Sequence, residues 1–222
     1  MIYTSQNVFF NFIYLVSIPL VSQMGCMLLS GTVADFIGRK RTLIFGQICI
    51  ISGWAIVYLA KHFHVLLIGR FITGLGTGLG LPVQTLQLSE IALIKMRGTL
   101  SMMNYLIMNV GILYSLILAA NFSLYTLILM SIVPAIIFLL ASFLLPESPM
   151  WLVKKGYSEK ARESLLSLRG PTYELKDELK ELEDLVRNED DASIYEKLQL
   201  LKSRSNAIPF IIMVTILMLQ VT

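Results

Sequence analysis

The sequence predicts an all-α protein, a polytopic transmembrane helical bundle with a cytosolic helical linker. Three observations predict it. The 222 residues are 55% hydrophobic and only 15% charged, against about 25% charged in ordinary soluble domains. Residues 1–34, 42–60, 71–89, 98–146 and 205–222 carry no charge; a run of ~18 or more such residues can cross a hydrocarbon core of ~30 Å as a helix. And 24 of the 33 charges lie in residues 146–207, so that block must be wet while the rest is mostly in lipid. This distribution excludes a soluble enzyme, a disordered chain and a secreted disulfide scaffold. The block is mixed in sign, with eleven basic and thirteen acidic residues. It therefore lacks the clustered basic face of a nucleic-acid binder.

The elements follow in order. Span one runs from about Val8 to Ala34, with Pro19 inside; membrane helices tolerate proline where neighbours satisfy the freed carbonyl. Span two covers Leu43 to Ala60 and span three Val65 to Ser89. The 49-residue run 98–146 would make a helix of roughly 74 Å, more than twice the hydrophobic thickness. It must fold back as a hairpin, and the polar Asn121–Ser123 is the natural turn. Spans four and five are then 99–120 and 124–145.

Orientation follows from Lys and Arg in the short loops. The first loop carries Arg39, Lys40 and Arg41, and the third Lys95 and Arg97. The second has only Lys61 with His62 and His64, and the fourth none. Rich and poor loops alternate, which places loops one and three and the charged block in the cytosol and the N-terminus outside. The organisation predicted is a bundle over 1–145, a cytosolic linker over 146–206, and the start of a further helix over 207–222. In the linker, Ser158 is expected to cap a helix stopped by Gly170-Pro171. From Thr172, Leu175, Leu179, Leu182, Leu185 and Val186 fall at helical spacing between charges. Ser193 and Glu196 form a capping box for a third helix, with Leu198 and Leu201 on its apolar side.

Cys26 and Cys49 lie inside apolar runs and read as small hydrophobes. His62 and His64 read as solvated loop residues, with no carboxylate or thiol nearby to complete a metal site. No cofactor or metal is expected. Asn121-Phe122-Ser123 matches a glycosylation sequon, in a turn so short that it is expected to stay unmodified. The glycines at 74, 76, 78 and 80 in span three fit no dinucleotide register; small residues four apart let membrane helices pack closely.

Three stretches carry more specific signal. Gly31-Thr-Val-Ala-Asp35-Phe-Ile-Gly38-Arg39-Lys40-Arg41 forms loop one. Gly69-Arg70 opens span three, which closes at Glu90 before Arg97-Gly98. Pro146-Glu147-Ser148-Pro149-Met150-Trp151-Leu152 follows span five. In this order and at these depths they resemble the motifs of the sugar-porter branch of the major facilitator superfamily, the glucose-transporter-like proteins. The flavour is nearest to insect facilitated trehalose-transporter-like members. The resemblance implies helices 2 to 6 of a partial major-facilitator fold, the linker, and the start of helix 7.

Physics gives these residues work beside the resemblance. Asp35, at the membrane edge, can accept hydrogen bonds from free amides at the start of the next helix. The resemblance implies that Asp35, Arg39, Lys40, Glu90, Arg97 and Glu147 belong to a cytosolic salt-bridge latch with the carrier's second half. Helix-end anchoring and local pairing are the plain alternative. Arg70 lies a turn or more inside span three, where a charge is costly. It is either functional and paired or a snorkelling arginine.

The pathway should show as a polar stripe. Ser101, Tyr105 and Asn109 stand four apart in span four, with Asn104 beside them, and Thr73, Thr77, Gln84 and Gln87 lie near one face of span three. Uncharged hydroxyls and amides suit a neutral polyol, whose hydroxyls donate and accept. They should face the bundle interior; interhelical hydrogen bonding is the alternative for any one of them. Four departures from the family pattern stand out. Phe36 and Met150 stand where a basic residue is usual, Thr85-Leu86-Gln87 replaces Pro-x-Tyr, and Tyr105 falls where glucose carriers have a sugar-binding glutamine. These departures weigh against glucose itself.

The resemblance thus implies a plasma-membrane carrier of a neutral sugar, a hexose or a disaccharide such as trehalose, working by alternating access. The membrane-edge carboxylates Asp35, Glu90 and Glu147 favour facilitated diffusion, because a proton site usually lies at mid-membrane. Expected partners are the sugar, the bilayer, and the C-terminal half or a full-length carrier. The reading from another class is a truncated, non-transporting membrane protein, a gene-model fragment or a regulatory isoform.

Overall fold

A computed structural model describes residues 2–93, 96–170, 179, 180 and 182–186. The chain divides into two compact units, Met1–Tyr173 and Glu174–Thr222. In the second, Leu179, Lys180 and residues 182–186 are helical. The capping box at Ser193 and Glu196, Leu198, Leu201, the run from Ala207, and Lys95 in loop three lie outside the described residues.

The regular elements of the first unit are all helices among its described residues: α1 (Ile2–Ile37), α2 (Arg39–Leu59), α3 (Phe63–Ile91), α4 (Arg97–Asn121), α5 (Leu124–Leu144), α6 (Pro149–Lys154) and α7 (Ser158–Arg169). Five of these are long and apolar enough to cross a membrane. The hairpin expected within 98–146 is α4 and α5, turning at Phe122 and Ser123. α1 starts at Ile2 rather than Val8. α2 starts at Arg39 rather than Leu43, so loop one shrinks to Gly38 and the basic triplet forms the first turn of α2. Gly38 makes that reversal possible with φ of 111°, a region costly for a side chain. His64 likewise lies in the first turn of α3, not in the loop. The helix expected to be capped by Ser158 is α7, but its N-cap is Tyr157 and Ser158 is already helical. Its stop at Gly170 (φ 89°) is as expected.

α3 is the hub, packed against α1 on one side and α2 on the other; α5 lies on α2, and α4 touches α3 and α5 only lightly. Glycine explains the close pairs. A Cβ at Gly53 would stand 2.8 Å from the Gly69 carbonyl oxygen, and one at Gly76 2.6 Å from that of Gly46. On the other face, Gly74 and Gly78 receive α1 at Pro19, Ser22, Gln23 and Cys26. Lipid is as apolar as leucine, so helices associate by such close packing rather than by hydrophobic burial. The small core of Ala34, Leu43 and Val83 lies where these three helices meet.

Candidate functional site: the charged end of the bundle

The C-termini of α1, α3 and α5 and the N-terminus of α2 converge at one end. Each end leaves backbone groups unserved, and side chains from other elements serve them. Arg39 is the centre. Its side chain is 5% exposed; Nη2 stands 3.0 Å from Glu90 Oε1, itself on a side chain 5% exposed, and Nη1 stands 2.8 Å from Asp35 Oδ1. Nε also donates to Glu90 Oε2 at 3.1 Å, making the Arg39–Glu90 contact a two-pronged one. Such a fork fixes orientation as well as charge. The Asp35 side chain is 49% exposed, so its share of the pair is screened by water.

The expectation for Asp35 needs correcting. The amide at the start of α2 is served by Glu147, whose Oε1 accepts from the Lys40 backbone N–H at 2.9 Å. Asp35 still lies within α1, and helical side chains tilt toward their own N-terminus, away from those amides. Gly38 has no side chain to offer, and a Cβ there would meet Glu147 Oε2 at 2.8 Å. The carboxylate thus fills the space that glycine leaves, against the positive end of α2. Lys40 does the converse, donating from Nζ to the Phe143 carbonyl oxygen, 2.8 Å away near the end of α5. Trp151 Nε1 donates to the Asp35 carbonyl oxygen at 2.9 Å, and Ser164 Oγ to that of Glu147 at 2.7 Å. Ser148 caps α6 by accepting from the Trp151 N–H at 3.3 Å. The Pro146–Leu152 stretch therefore stitches α1, α2, α6 and α7 together. Sequence reasoning quoted Ser148 and Trp151 only within a motif and did not single out Ser164; the Ser148 cap is local, while the partners of Ser164 and of the Trp151 indole lie 17 and 116 positions away.

Of the six residues expected in the latch, five come together: Asp35, Arg39, Lys40, Glu90 and Glu147. Arg97 is the exposed first residue of α4, with no ion pair to the described residues. The expected pathway residues are more scattered. Gln84 Nε2 donates to Asn104 Oδ1 at 3.2 Å, joining α3 to α4. Thr77 Oγ1 donates to its own helix, at the Gly74 oxygen 3.0 Å away. Ser101 is half-buried. Tyr105 and Asn109 face outward from the described bundle, contrary to expectation, because α4 has few neighbours there; Asn109 Nδ2 donates to the Tyr105 carbonyl oxygen at 2.8 Å. Arg70, in the third turn of α3, places its guanidinium carbon 4.9 Å from the Trp54 ring centroid, and its buried Nε has no partner among the described residues. The Gly53–Gly69 approach brings these two next-door residues together. No group of three or more potential metal ligands occurs among the described residues.

Residues 5–222 match the family model described as sugar (and other) transporter. Sugar transporter ERD6 of Arabidopsis thaliana is 34% identical over 191 residues, 86% of this chain and 38% of that protein. Sugar transporter ERD6-like 9 of the same plant is 36% identical over 167 residues, covering 75% of this chain and 50% of that one. The chain thus spans between about a third and a half of the curated relatives it matches. Among solved structures, the proton:xylose symporter XylE bound to 6-bromo-6-deoxy-D-glucose superposes with a TM-score of 0.69 at 20% identity, over 79% of this chain and 43% of that one. The inward-open xylose transporter XylE from E. coli gives 0.68 at 18%, over 82% and 46%. At these identities the likeness establishes the fold.

Proposed function

The chain belongs to the sugar (and other) transporter family, and on that premise we propose that it belongs to a carrier that moves a neutral sugar across the plasma membrane by alternating access. The family is one of transporters, not enzymes. The observation that carries the reading is the family match over nearly the whole chain, joined to a charged end that locks three helix termini around Arg39. Two bundles rocking about a central site are the general design of such carriers. In this reading Asp35, Arg39, Lys40, Glu90 and Glu147 form the cytosolic latch surface, and Arg97 is held free for the second half. Thr77, Gln84, Ser101, Tyr105 and Asn109 supply hydroxyl and amide partners along the path. Outward-facing Tyr105 and Asn109 suit a path that runs between this bundle and a second one. Arg70 is the intramembrane charge held against Trp54. The substrate is a hexose or a disaccharide such as trehalose, moved without proton coupling, with residues 146–206 in the cytosol.

The test is uptake by proteoliposomes carrying the full-length protein that contains this chain. Uptake of labelled sugar that unlabelled sugar competes, and that an imposed pH gradient leaves unchanged, is the expected result. Absence of competable uptake across hexoses, trehalose and polyols overturns the reading, and acceleration by an inward proton gradient overturns the uncoupled mechanism alone. Orientation is checked by single cysteines: a membrane-impermeant thiol reagent added to intact cells should reach position 62 and not position 157.

A further inference from the structure

Of the five membrane-length helices, α4 is the least held by its described neighbours. It touches α3 and α5 only lightly, and Leu118 is the one residue of it that is buried. Asn109, Ser115 and Asn121 bond their own helix. Among the described residues, one side-chain hydrogen bond ties α4 to another helix, from Gln84 Nε2 of α3 to Asn104 Oδ1 at 3.2 Å. Both side chains are half-buried.

That bond stands on a dividing line. At 3.6 residues per turn, each residue advances ~100° around the helix. Counted from Asn104, Ser101, Tyr105 and Asn109 lie about 60°, 100° and 140° to one side. Leu100, Met103 and Ile107 lie about 40°, 100° and 60° to the other. There they border a cavity of about 460 Å³ shared with Leu43 of α2 and Phe138 of α5. Apolar side chains facing lipid or a cavity favour no one rotation of α4 about its axis, because lipid is as apolar as leucine. A directional amide bond does fix that rotation. A roll of ~20° shifts the surface of a helix of ~5 Å radius by ~2 Å, which carries a hydroxyl or amide out of hydrogen-bond range.

We propose that Asn104 is a positioning residue: held by Gln84, it sets the rotation of α4 and so aims Ser101, Tyr105 and Asn109 at the sugar. The proposal rests on the transport reading, and it gives Gln84 a task besides lining the path. Asn104 does its work through the other face of α4, without touching the sugar.

Sugar uptake by proteoliposomes carrying the full-length protein that contains this chain tests it, with KM and maximal rate read separately. Asn104→Leu keeps the size of the side chain and removes the acceptor. KM should rise about tenfold, the worth of one well-placed hydrogen bond, with the maximal rate per inserted protein changed by less than about twofold. A merely structural role would lower the amount of inserted protein and leave KM alone. Asn104→Ala breaks the same bond if the leucine variant does not insert. Gln84→Asn combined with Asn104→Gln rebuilds an amide pair of the same total length, and should bring KM back to within about threefold of the native value. Tyr105→Phe should raise KM in the native background and change it little in Asn104→Leu, since a hydroxyl already misaimed has little left to lose. An unchanged KM in Asn104→Leu overturns the proposal. So does a swapped pair no better than the single variant, or a Tyr105→Phe effect equal in both backgrounds. Absence of competable uptake by the unsubstituted protein overturns the transport reading, and this proposal with it.

Discussion

The trio α1–α2–α3 and the pair α4–α5 are both apolar enough to cross a membrane and pack very differently. Nine residues of α3 are buried, among them Gly69, Gly74, Gly76, Gly78 and Gly80, whereas in α4 only Leu118 is. Both helices carry glycine, but Gly98 and Gly111 of α4 have open space where a Cβ would be. Hydrophobicity places a helix in the membrane and says little about its neighbours. Close approach of small residues and paired charges decides association there. In α4 Asn109, Ser115 and Asn121 bond their own backbone, as Thr77 does in α3, while Asn104 accepts across from Gln84.

That contrast can be broken or sharpened by substitution, read as unfolding free energy in mixed micelles. The largest effect should come from Glu90→Gln, which strands the buried Arg39 guanidinium; a broken buried pair costs ~3–5 kcal/mol, with the lower end expected because Asp35 remains. Asp35→Asn, on a half-exposed partner, should cost under ~1 kcal/mol. A loss for Glu90→Gln no greater than for Asp35→Asn would remove Arg39 from the centre of the trio. Next is Gly53→Val, which must push the α2 and α3 backbones apart and should cost ~1–3 kcal/mol by overpacking. Gly111→Ala in α4 should change stability by less than ~1 kcal/mol; equal costs at the two sites would end the contrast. Glu147→Ala removes an anionic cap from α2 and should cost ~1–2 kcal/mol, with faster exchange of the Lys40 amide hydrogen as its local signature. Trp54→Leu keeps an apolar neighbour and loses the ring face under Arg70, for ~0.5–2 kcal/mol; the same loss in an Arg70→Met background would show that the ring face is not what matters. Smallest is Arg97→Ala, within about 0.5 kcal/mol, since its side chain is exposed.

What was legible of the fold came from periods and charges. The five membrane-length helices among the described residues, the hairpin at Asn121–Ser123 and the close packing of α3 follow from residue types that act locally, whereas α6 was not foreseen. Of the candidate site, the five residues that meet at the charged end could be named in advance because the sequence carries few charges near its spans and those few sit at their ends. Which of them would pair could not. Asp35 and Glu147 are both carboxylates at membrane edges, and only geometry assigns one to Arg39 and the other to the Lys40 amide. Trp151 gave no signal as a donor to the Asp35 carbonyl, since an indole in an apolar stretch looks like any other anchor.

The sequence alone therefore determined what each segment must do with respect to water and lipid. Burying charge or unpaired backbone in hydrocarbon is so costly that one-dimensional pattern decides it. Tertiary structure alone decided the pairings: which carboxylate meets Arg39, which glycine meets which backbone, and which way α4 turns Tyr105. Those choices depend on distances between residues up to 116 positions apart, and in lipid they are settled by ångström-scale fit rather than by apolar burial, which favours no partner over another.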